Sequence, residues 1–236
     1  MPALRPAITN NRLLAALPDK DRGRILGHCD QVELEAGDVL HEAGASQRHV
    51  YFPTGGFVSL VSPVNSKAGL EVALVGNEGM VGGEAMLGDA KSFGDSRIRV
   101  PDTDAERMSV ESFRHAVREP GAFRDLVGRF LHTLIALLIR NVTCRVRHDA
   151  RQRCARWLLA MHDSMYGQAF LLSHEALAEM LGIHRPTVST IAARLQQTGI
   201  IRYRHGRVTV LSHQRLEAEA CECYAIVRAL LDPLRQ

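Results

Sequence analysis

The chain has 236 residues, of which 46% are hydrophobic and 23% are charged, and its formal net charge is +3. This composition excludes a wholly disordered chain, because the apolar content is sufficient for a buried core. The glycines and prolines follow no period, which excludes a collagen-like chain. The N-terminus lacks the apolar stretch of a secretory signal, and the longest apolar run, 130–139, is too short to cross a bilayer. The sequence therefore predicts a cytoplasmic protein that does not enter the membrane.

The first half of the chain changes from a helical to a strand-like pattern. Residues Arg12 to His28 show the apolar spacing of a short helix. From Val32 to about Met108, short β-branched or apolar runs alternate with glycine-containing turns, which is typical of a β-barrel or β-sandwich. The predicted strands are Val32–Leu34, Val39–Leu40, Val50–Phe52, Phe57–Val61, Glu71–Val75 and Ile98–Val100.

Helices are predicted after these strands. Ser109 or Ser112 can cap a short helix through His115, and longer helices are predicted from Phe123 to Arg147 and from Asp149 to Tyr166. The first of the longer helices would measure about 35 Å. It either packs on its own domain or pairs with the same helix of a second copy, and the width of its apolar stripe favours a dimer seam. The predicted seam residues are Val127, Phe130, Leu131, Leu134 and Leu138.

Residues 172–211 have the pattern of two helices joined by a tight turn. Ser173 is a good N-cap for the first helix, and Gly182 ends it. The second helix starts near His184, with Pro186 in its first turn, where a missing N–H costs nothing. Two helices in this arrangement predict a helix-turn-helix.

The surface predicted for this segment is basic. Arg185, Ser189 and Thr190 lie near the N-terminus of the second helix, the end that reads base edges in the major groove. Strand-like runs on either side of residues 204–207 predict a β-hairpin wing with a basic tip. A charge run is usually only a solvated face, but here no acidic residue and six arginines occur between Glu179 and Glu217. The combination predicts binding to double-stranded DNA.

Motifs along almost the whole chain resemble those of the Crp/Fnr family of bacterial transcription regulators. The resemblance rests on Leu177-Ala178, Leu181-Gly182-Ile183, Arg185-Pro-Thr-Val-Ser, Leu195, Gly199-Ile-Ile and Gly206, and upstream on residues 35–40, 51–56 and 75–82. It implies an α+β protein with an N-terminal β jelly-roll barrel, a long dimerisation helix and a C-terminal winged helix-turn-helix. The implied ranges are 1–122 for a cyclic-nucleotide-binding-like sensor domain, 123–148 for the dimerisation helix and 149–236 for the DNA-binding domain. The implied partners are a second copy of the chain, an operator and RNA polymerase.

The resemblance also implies roles in the second helix, residue by residue. Arg185 stands where the family has an arginine that contacts guanine, Thr187 where it binds phosphate, and Ser189 where some branches contact a base. Pro186 replaces a family glutamate and Thr190 replaces a frequent arginine, so the half-site is expected to differ from the common family sequence. The predicted DNA contacts are Ser173, His184, Arg185, Pro186, Thr187, Ser189, Thr190, Arg194, His205 and Arg207.

The sensor domain departs from the family's cyclic AMP cassette. That cassette has a Gly-Glu pair for the ribose and an arginine that clamps the cyclic phosphate. Here Gly82 is followed by Gly83, Glu84 comes one place late, and no arginine falls at the clamp. Arg97 or Arg99 could substitute, but strand alternation lets only one of them point inward. The candidate pocket of Gly82, Gly83, Glu84 and Arg97 therefore predicts an effector other than cyclic AMP, or none.

The sequence disfavours an iron–sulfur cluster and a thiol switch and leaves haem open. Iron–sulfur sensing in this family needs an N-terminal cysteine cluster, which a single cysteine, Cys29, in the first 140 residues disfavours. Cys221 and Cys223 are predicted to lie apart on one helix, so inert cysteines are favoured over a thiol switch. Without a C-x-x-C pair, neither a disulfide framework nor a metal site is predicted. Haem is left open, with Pro2, His28, His41 and His49 as possible axial ligands.

No enzymatic motif is found, so no catalytic residue is predicted. The alternative to a DNA-binding regulator is a cyclic-nucleotide-like module that regulates a non-DNA partner. The charge distribution favours the regulator, because residues 1–139 carry 15 basic and 18 acidic side chains, whereas residues 140–236 carry 14 and 8. The small net charge thus hides an acidic N-terminal part and a basic C-terminal part.

Overall fold

The structure is a computed structural model that describes residues 8–64, 67–88, 91–99, 101 and 103–232. Two short helices precede seven strands, and Pro18 divides the helix predicted for residues 12–28 into two. The bounds are α1 Arg12–Ala15, α2 Asp19–Leu26, β1 Cys29–Leu34, β2 Val39–His41, β3 His49–Gly55, β4 Val58–Val64, β5 Lys67–Val75, β6 Asp95–Ile98 and β7 Thr103–Ser109.

The seven strands form two antiparallel sheets, ordered β1-β7-β3 and β2-β6-β4-β5. In the first sheet, Met108 of β7 pairs with Cys29 of β1 on one side and with Val50 of β3 on the other. Apolar side chains of both sheets share one buried core. The predicted α+β fold with a β-rich N-terminal part is confirmed. Among the described strands no hydrogen-bonded strand pair joins the two sheets.

The structure corrects two details of the strand prediction. β6 ends at Ile98, where the predicted strand 98–100 begins, and residue 100 lies outside the described residues. β7 is absent from the predicted strands because Asp104, Glu106 and Arg107 interrupt its apolar pattern. It is nevertheless the central strand of its sheet, since its backbone pairs with a neighbour on each side.

Three helices follow the sheets: α3 Val110–Arg118, α4 Ala122–Arg147 and α5 Ala150–Ser164. Ser109 caps α3, since its hydroxyl oxygen accepts a hydrogen bond from the Ser112 amide at 3.1 Å. Asp149 and Gln152 form a reciprocal capping box at the start of α5. The three predicted helices are thereby confirmed. No helix of the described residues has both the length and the apolar character needed to cross a membrane.

The C-terminal part is a winged helix-turn-helix, as predicted. The elements of this part are β8 Phe170–Leu171, α6 His174–Leu181, α7 Arg185–Gln197, β9 Ile201–Arg204, β10 Arg207–Val210, α8 His213–Glu219 and α9 Cys223–Leu231. The three strands form a small antiparallel sheet, ordered β8-β10-β9, which packs beside the helices around a second buried core. Cys221 lies in the turn before α9 and Cys223 is the first residue of α9, so the prediction that both lie on one helix is wrong.

The sheets and the helix-turn-helix meet through α5 and β5. The Trp157 ring packs edge-to-face on Phe57, with the ring centroids 6.0 Å apart, and its Nε1 donates a hydrogen bond to Glu71 Oε1 at 3.0 Å. Beside them, Arg99 Nη1 lies 3.3 Å from Glu179 Oε2 of α6. These contacts set the position of α6, and therefore of the helix that follows it, relative to the sheets.

Candidate nucleic-acid interface

The turn between α6 and α7 is built by local hydrogen bonds. Ser173 caps α6, because its hydroxyl oxygen accepts a hydrogen bond from the Ala176 amide at 3.0 Å. At the other end Gly182 has a φ of 63°, a left-handed conformation that glycine adopts without strain. Pro186 lies in the first turn of α7, as predicted. The chain therefore reverses direction within a few residues and holds α7 against α6.

One face of α7 is buried and the other is exposed. Val188, Ile191 and Leu195 pack into the C-terminal core. This leaves the opposite face and the N-terminus of the helix in solvent. The exposed residues there are His184, Arg185, Pro186, Thr187, Thr190 and Arg194. Six of the predicted DNA contacts thus lie on one accessible surface.

Arg185 stands at the start of α7 and extends into solvent. Its side chain is 66% exposed, and its Nε lies 3.7 Å from Glu175 Oε2 of α6. An exposed ion pair of this kind contributes at most about 1 kcal/mol, so DNA can displace it at little cost. Glu175 therefore orients the guanidinium of Arg185 through a weak ion pair that a ligand can displace.

Ser189 differs from the other predicted contacts because it is tied to the protein. Its hydroxyl lies 2.9 Å from His174 Nδ1, and the His174 ring lies 4.6 Å from that of Tyr203 in the wing, measured between centroids. Burial, and secondarily the charge of Arg185, lower the pKa of His174 below its usual value. His174 was not among the predicted site residues, because its contact with Ser189 arises only where α6 and α7 cross. His174 thus links α6 to Ser189 of α7 and to Tyr203 of the wing.

The wing is a two-residue hairpin between β9 and β10. His205 and Gly206 both have positive φ, 50° and 74°, which is the geometry of a type I′ turn. Arg204 and Arg207 pair across the strands at the turn. Arg207 Nη1 donates a hydrogen bond to the Ala169 carbonyl at 2.9 Å, which leaves its other N–H groups available. The tip thus presents His205 between two arginines.

The candidate effector pocket does not present free charges. Arg97 Nη2 pairs with Asp95 Oδ2 at 2.6 Å, and Glu84 Oε1 accepts a hydrogen bond from Gln47 Nε2 at 2.5 Å. Gly82 has a φ of 88° and lies against His41. A phosphate held by Arg97 would have to compete with Asp95.

The histidines considered for haem are placed unevenly. His41 is buried, with Nε2 2.8 Å from the His49 carbonyl and Nδ1 3.4 Å from Ser96 Oγ, so both its ring nitrogens have partners. His28 is exposed at the surface. Pro2 lies outside the described residues. The geometry thus gives no support to an axial ligand at His41.

The predicted dimer seam on α4 divides between two environments. Val127 and Phe130 are buried in the core of the sheets, so they cannot face a second copy, which corrects their assignment to the seam. Leu131, Leu134 and Leu138 are half-buried. The exposed apolar residues of α4 are instead Ile135, Ile139, Val142 and Val146, which are 57 to 78% exposed. These exposed residues are not in the predicted set, because the sequence alone does not show which side of the wide stripe the sheets cover.

Similarity to known proteins is found in both sequence and fold. Residues 152–219 match the Crp-like helix-turn-helix domain. TTHA1359, a CRP/FNR family transcriptional regulator from Thermus thermophilus, is 22% identical, with a TM-score of 0.65 over 81% of this chain and 98% of that one. The c-di-GMP responsive global regulator CLP from Xanthomonas campestris is 18% identical, with a TM-score of 0.64 over 83% of this chain and 100% of that one.

FixK2 from Bradyrhizobium japonicum is 18% identical, with a TM-score of 0.63 over 82% of this chain and 98% of that one. No curated protein sequence matches the chain significantly. At these identities the solved structures show a shared fold. Together with the domain match, that fold confirms the predicted resemblance to Crp/Fnr regulators.

Proposed function

Because residues 152–219 match a Crp-like helix-turn-helix domain in a chain with the CRP/FNR fold, we propose that this protein is a transcription regulator that binds operator DNA. The observation that carries the proposal is the exposed N-terminal half of α7, with Arg185 at its start and an arginine-rich wing beside it. The helix N-terminus also attracts phosphate through its unpaired amides and its dipole. The regulator would act in the cytoplasm, without catalysing a reaction, and RNA polymerase would be a further partner.

Within this proposal, Arg185 reads a base edge and the other exposed residues position the helix. A guanidinium can donate two parallel hydrogen bonds to guanine O6 and N7. Thr187 and the arginines of the wing are placed to contact phosphate, which carries affinity rather than sequence information. Ser189, whose hydroxyl already has a partner in His174, would contact DNA only after giving up that bond.

The active form would be a homodimer built on α4. Ile135, Ile139, Val142 and Val146 follow one another at steps of 4, 3 and 4, the heptad spacing of a two-helix seam. Exposed apolar stripes of this kind are costly in water and mark an interface. Two copies related by this seam would place their α7 helices in successive major grooves, about 34–36 Å apart.

The sensor part is proposed to respond to something other than cyclic AMP. The pairing of Arg97 with Asp95 supports an effector other than cyclic AMP, or regulation without a ligand in the cassette. The alternative function, a sensor module that regulates a non-DNA partner, would leave the exposed surface of α7 unused.

The proposal is tested by selecting binding sites for the full-length protein from a pool of random DNA duplexes. We expect enrichment of two inverted half-sites about one helical turn apart, and an affinity that falls steeply as the salt concentration rises. A pool that stays unenriched, with binding independent of salt, would favour the non-DNA alternative.

A further inference from the structure

Three cysteines and one histidine converge where α9 meets the end of α4. Cys144 lies in the last turn of α4, His148 follows the helix, Cys221 lies in the turn before α9, and Cys223 begins α9. Their Sγ and nitrogen atoms all lie within 4.8 Å of one another. The three thiols are buried, with exposed fractions of 1%, 5% and 0% in chain order. The fold thus brings together four side chains of types that can bind metals. They come from two distant segments, since Cys144 and Cys221 are 77 residues apart in the chain.

The distances in this cluster fit a tetrahedron of metal ligands. Cys144 Sγ lies 3.6 Å from Cys221 Sγ, and Cys223 Sγ lies 3.7 Å from His148 Nδ1. Thiolate sulfur binds zinc at about 2.3 Å, so two ligands of a tetrahedral site lie about 3.8 Å apart. A disulfide would require about 2.05 Å between the sulfurs. The side chains are therefore spaced as ligands around an ion.

His148 is oriented for coordination by a neighbouring carboxylate. Its Nε2 lies 3.2 Å from Glu222 Oε1, while its Nδ1 faces the thiols. A proton on Nε2 would be held by Glu222, which leaves the lone pair of Nδ1 directed at Cys223 Sγ. Metal-bound histidines in proteins usually make such a second hydrogen bond. Glu222, the residue between the two cysteines of the Cys-x-Cys pair, thus completes the site from outside.

The charge of the surroundings is also suited to a metal–thiolate group. Arg156 lines the same cavity as Cys144 and carries a positive charge. Three thiolates and one divalent ion would carry a net charge of −1 next to this arginine. Soft sulfur ligands and tetrahedral geometry select zinc over the hard cations that prefer oxygen.

We propose that Cys144, His148, Cys221 and Cys223 bind one Zn²⁺ ion in a closed four-coordinate site. On binding, the three thiols release three protons to solvent and no electron is transferred. All four positions are taken by protein ligands, as in structural zinc sites. The ion would hold the start of α9 against the end of α4, next to the C-terminal part that contains the helix-turn-helix. The site is independent of the proposed DNA-binding function, because its residues lie outside the α7 surface.

The site is tested by metal analysis of the full chain purified without chelator, followed by removal of the metal under reducing conditions and titration with Co²⁺. We expect one zinc per chain, and on titration the visible and thiolate-to-cobalt charge-transfer bands of a tetrahedral complex, saturating at one Co²⁺ and lost on addition of Zn²⁺. Cys144→Ser and Cys221→Ser should lose these bands. Cys29→Ala and Cys154→Ala, which remove buried cysteines outside the cluster, should keep them.

His148→Cys keeps four ligands and should intensify the charge-transfer bands, which also separates loss of a ligand from loss of the fold. The proposal is overturned if wild-type protein saturates with neither Zn²⁺ nor Co²⁺ at one ion per chain. It is equally overturned if Cys144→Ser and Cys221→Ser bind Co²⁺ with the wild-type spectrum, or if a Cys144–Cys221 disulfide forms quantitatively under the reducing conditions of loading.

Discussion

The guanidinium of Arg145, near the end of α4, donates a hydrogen bond to the main-chain oxygen of Leu181 at 3.2 Å. The same carbonyl, at the end of α6, also accepts one from Arg153 of α5 at 3.0 Å. Arg145 donates further to the carbonyls of Met180 and of Glu71 in β5. Two positive side chains thus meet the negative end of the α6 dipole, and one of them joins α4, α6 and β5.

Replacing Arg145 with alanine should destabilise the protein by about 1–3 kcal/mol, because half-buried carbonyls lose a charged donor. Urea unfolding of the full chain measures this loss. Arg145→Lys should recover only part of it, since one ammonium cannot reach the positions that the planar guanidinium spans. Arg147→Ala, at an exposed position of the same helix end, is the matched control and should stay within about 0.5 kcal/mol of wild type. Equal losses for Arg145→Ala and Arg147→Ala would contradict this role.

Replacing Arg185 with alanine should weaken binding to the selected operator by about 1–3 kcal/mol and relax the preference at one base pair. The reason is the loss of a donor pair that only one base satisfies. Fluorescence anisotropy with the operator and with a scrambled duplex measures both effects. Lys20→Ala removes one exposed positive charge from α2 and controls for net charge. It should change neither the affinity for the operator nor the base preference. If Arg185→Ala weakens binding to operator and scrambled DNA equally, Arg185 does not read a base.

Placing an aspartate at Ile139 should convert the dimer to monomers, because a carboxylate would be buried in the apolar seam of α4. Sedimentation velocity measures the change. Arg129→Asp introduces the same group at an exposed position on another face of α4 and should leave the dimer intact. A dimer that persists in Ile139→Asp would show that the exposed stripe is not the interface.

The carboxyl of Glu71 makes stability depend on pH. Burial raises its pKa from the ordinary 4.5 to about 7, against hydrogen bonds from Ser59 and Trp157. Between these two pKa values the folded state holds a proton that the unfolded state releases. The contribution of this carboxyl to the free energy of unfolding is therefore complete below pH 4.5 and is lost as the pH rises through about 7. Glu71→Gln should abolish this slope and stabilise the protein at about pH 8 by up to roughly 3 kcal/mol.

Urea unfolding on both sides of that pH range, at about pH 4 and about pH 8, compares the variant with wild type. Glu33→Gln removes an exposed carboxylate from β1 and should keep the wild-type slope. If Glu71→Gln also keeps the wild-type slope, a group other than Glu71 causes the pH dependence of stability.

Local patterns in the sequence predict the helix-turn-helix well, because its signals are short-range. Ser173, Gly182 and Pro186 each act within one turn of their own position, and the structure places them at the predicted helix ends. β7 could not be predicted in this way. Its polar residues conceal a central strand, and the residues of β1 and β3 that pair with it are 49 or more positions away in the chain.

Long-range contacts account for the remaining differences. Val127 and Ile139 lie on the same helix, yet the sheets cover the first and leave the second exposed. Cys144 and Cys221 meet only because α9 returns to α4, and the pair Cys221 and Cys223 by itself has no zinc spacing. The pairing of Arg97 with Asp95 likewise depends on how β6 is placed, which motif spacing does not show.

Trp157 is the only tryptophan of the chain. Because its ring lies between Phe57 and Glu71, all tryptophan fluorescence of the protein comes from the junction of the sheets with α5. Any rearrangement that separates these two parts exposes the indole to water and shifts its emission to longer wavelength, while changes confined to α7 or the wing leave it unaltered. The protein thus contains an intrinsic optical probe for movement between its two halves, which needs no label and no added residue.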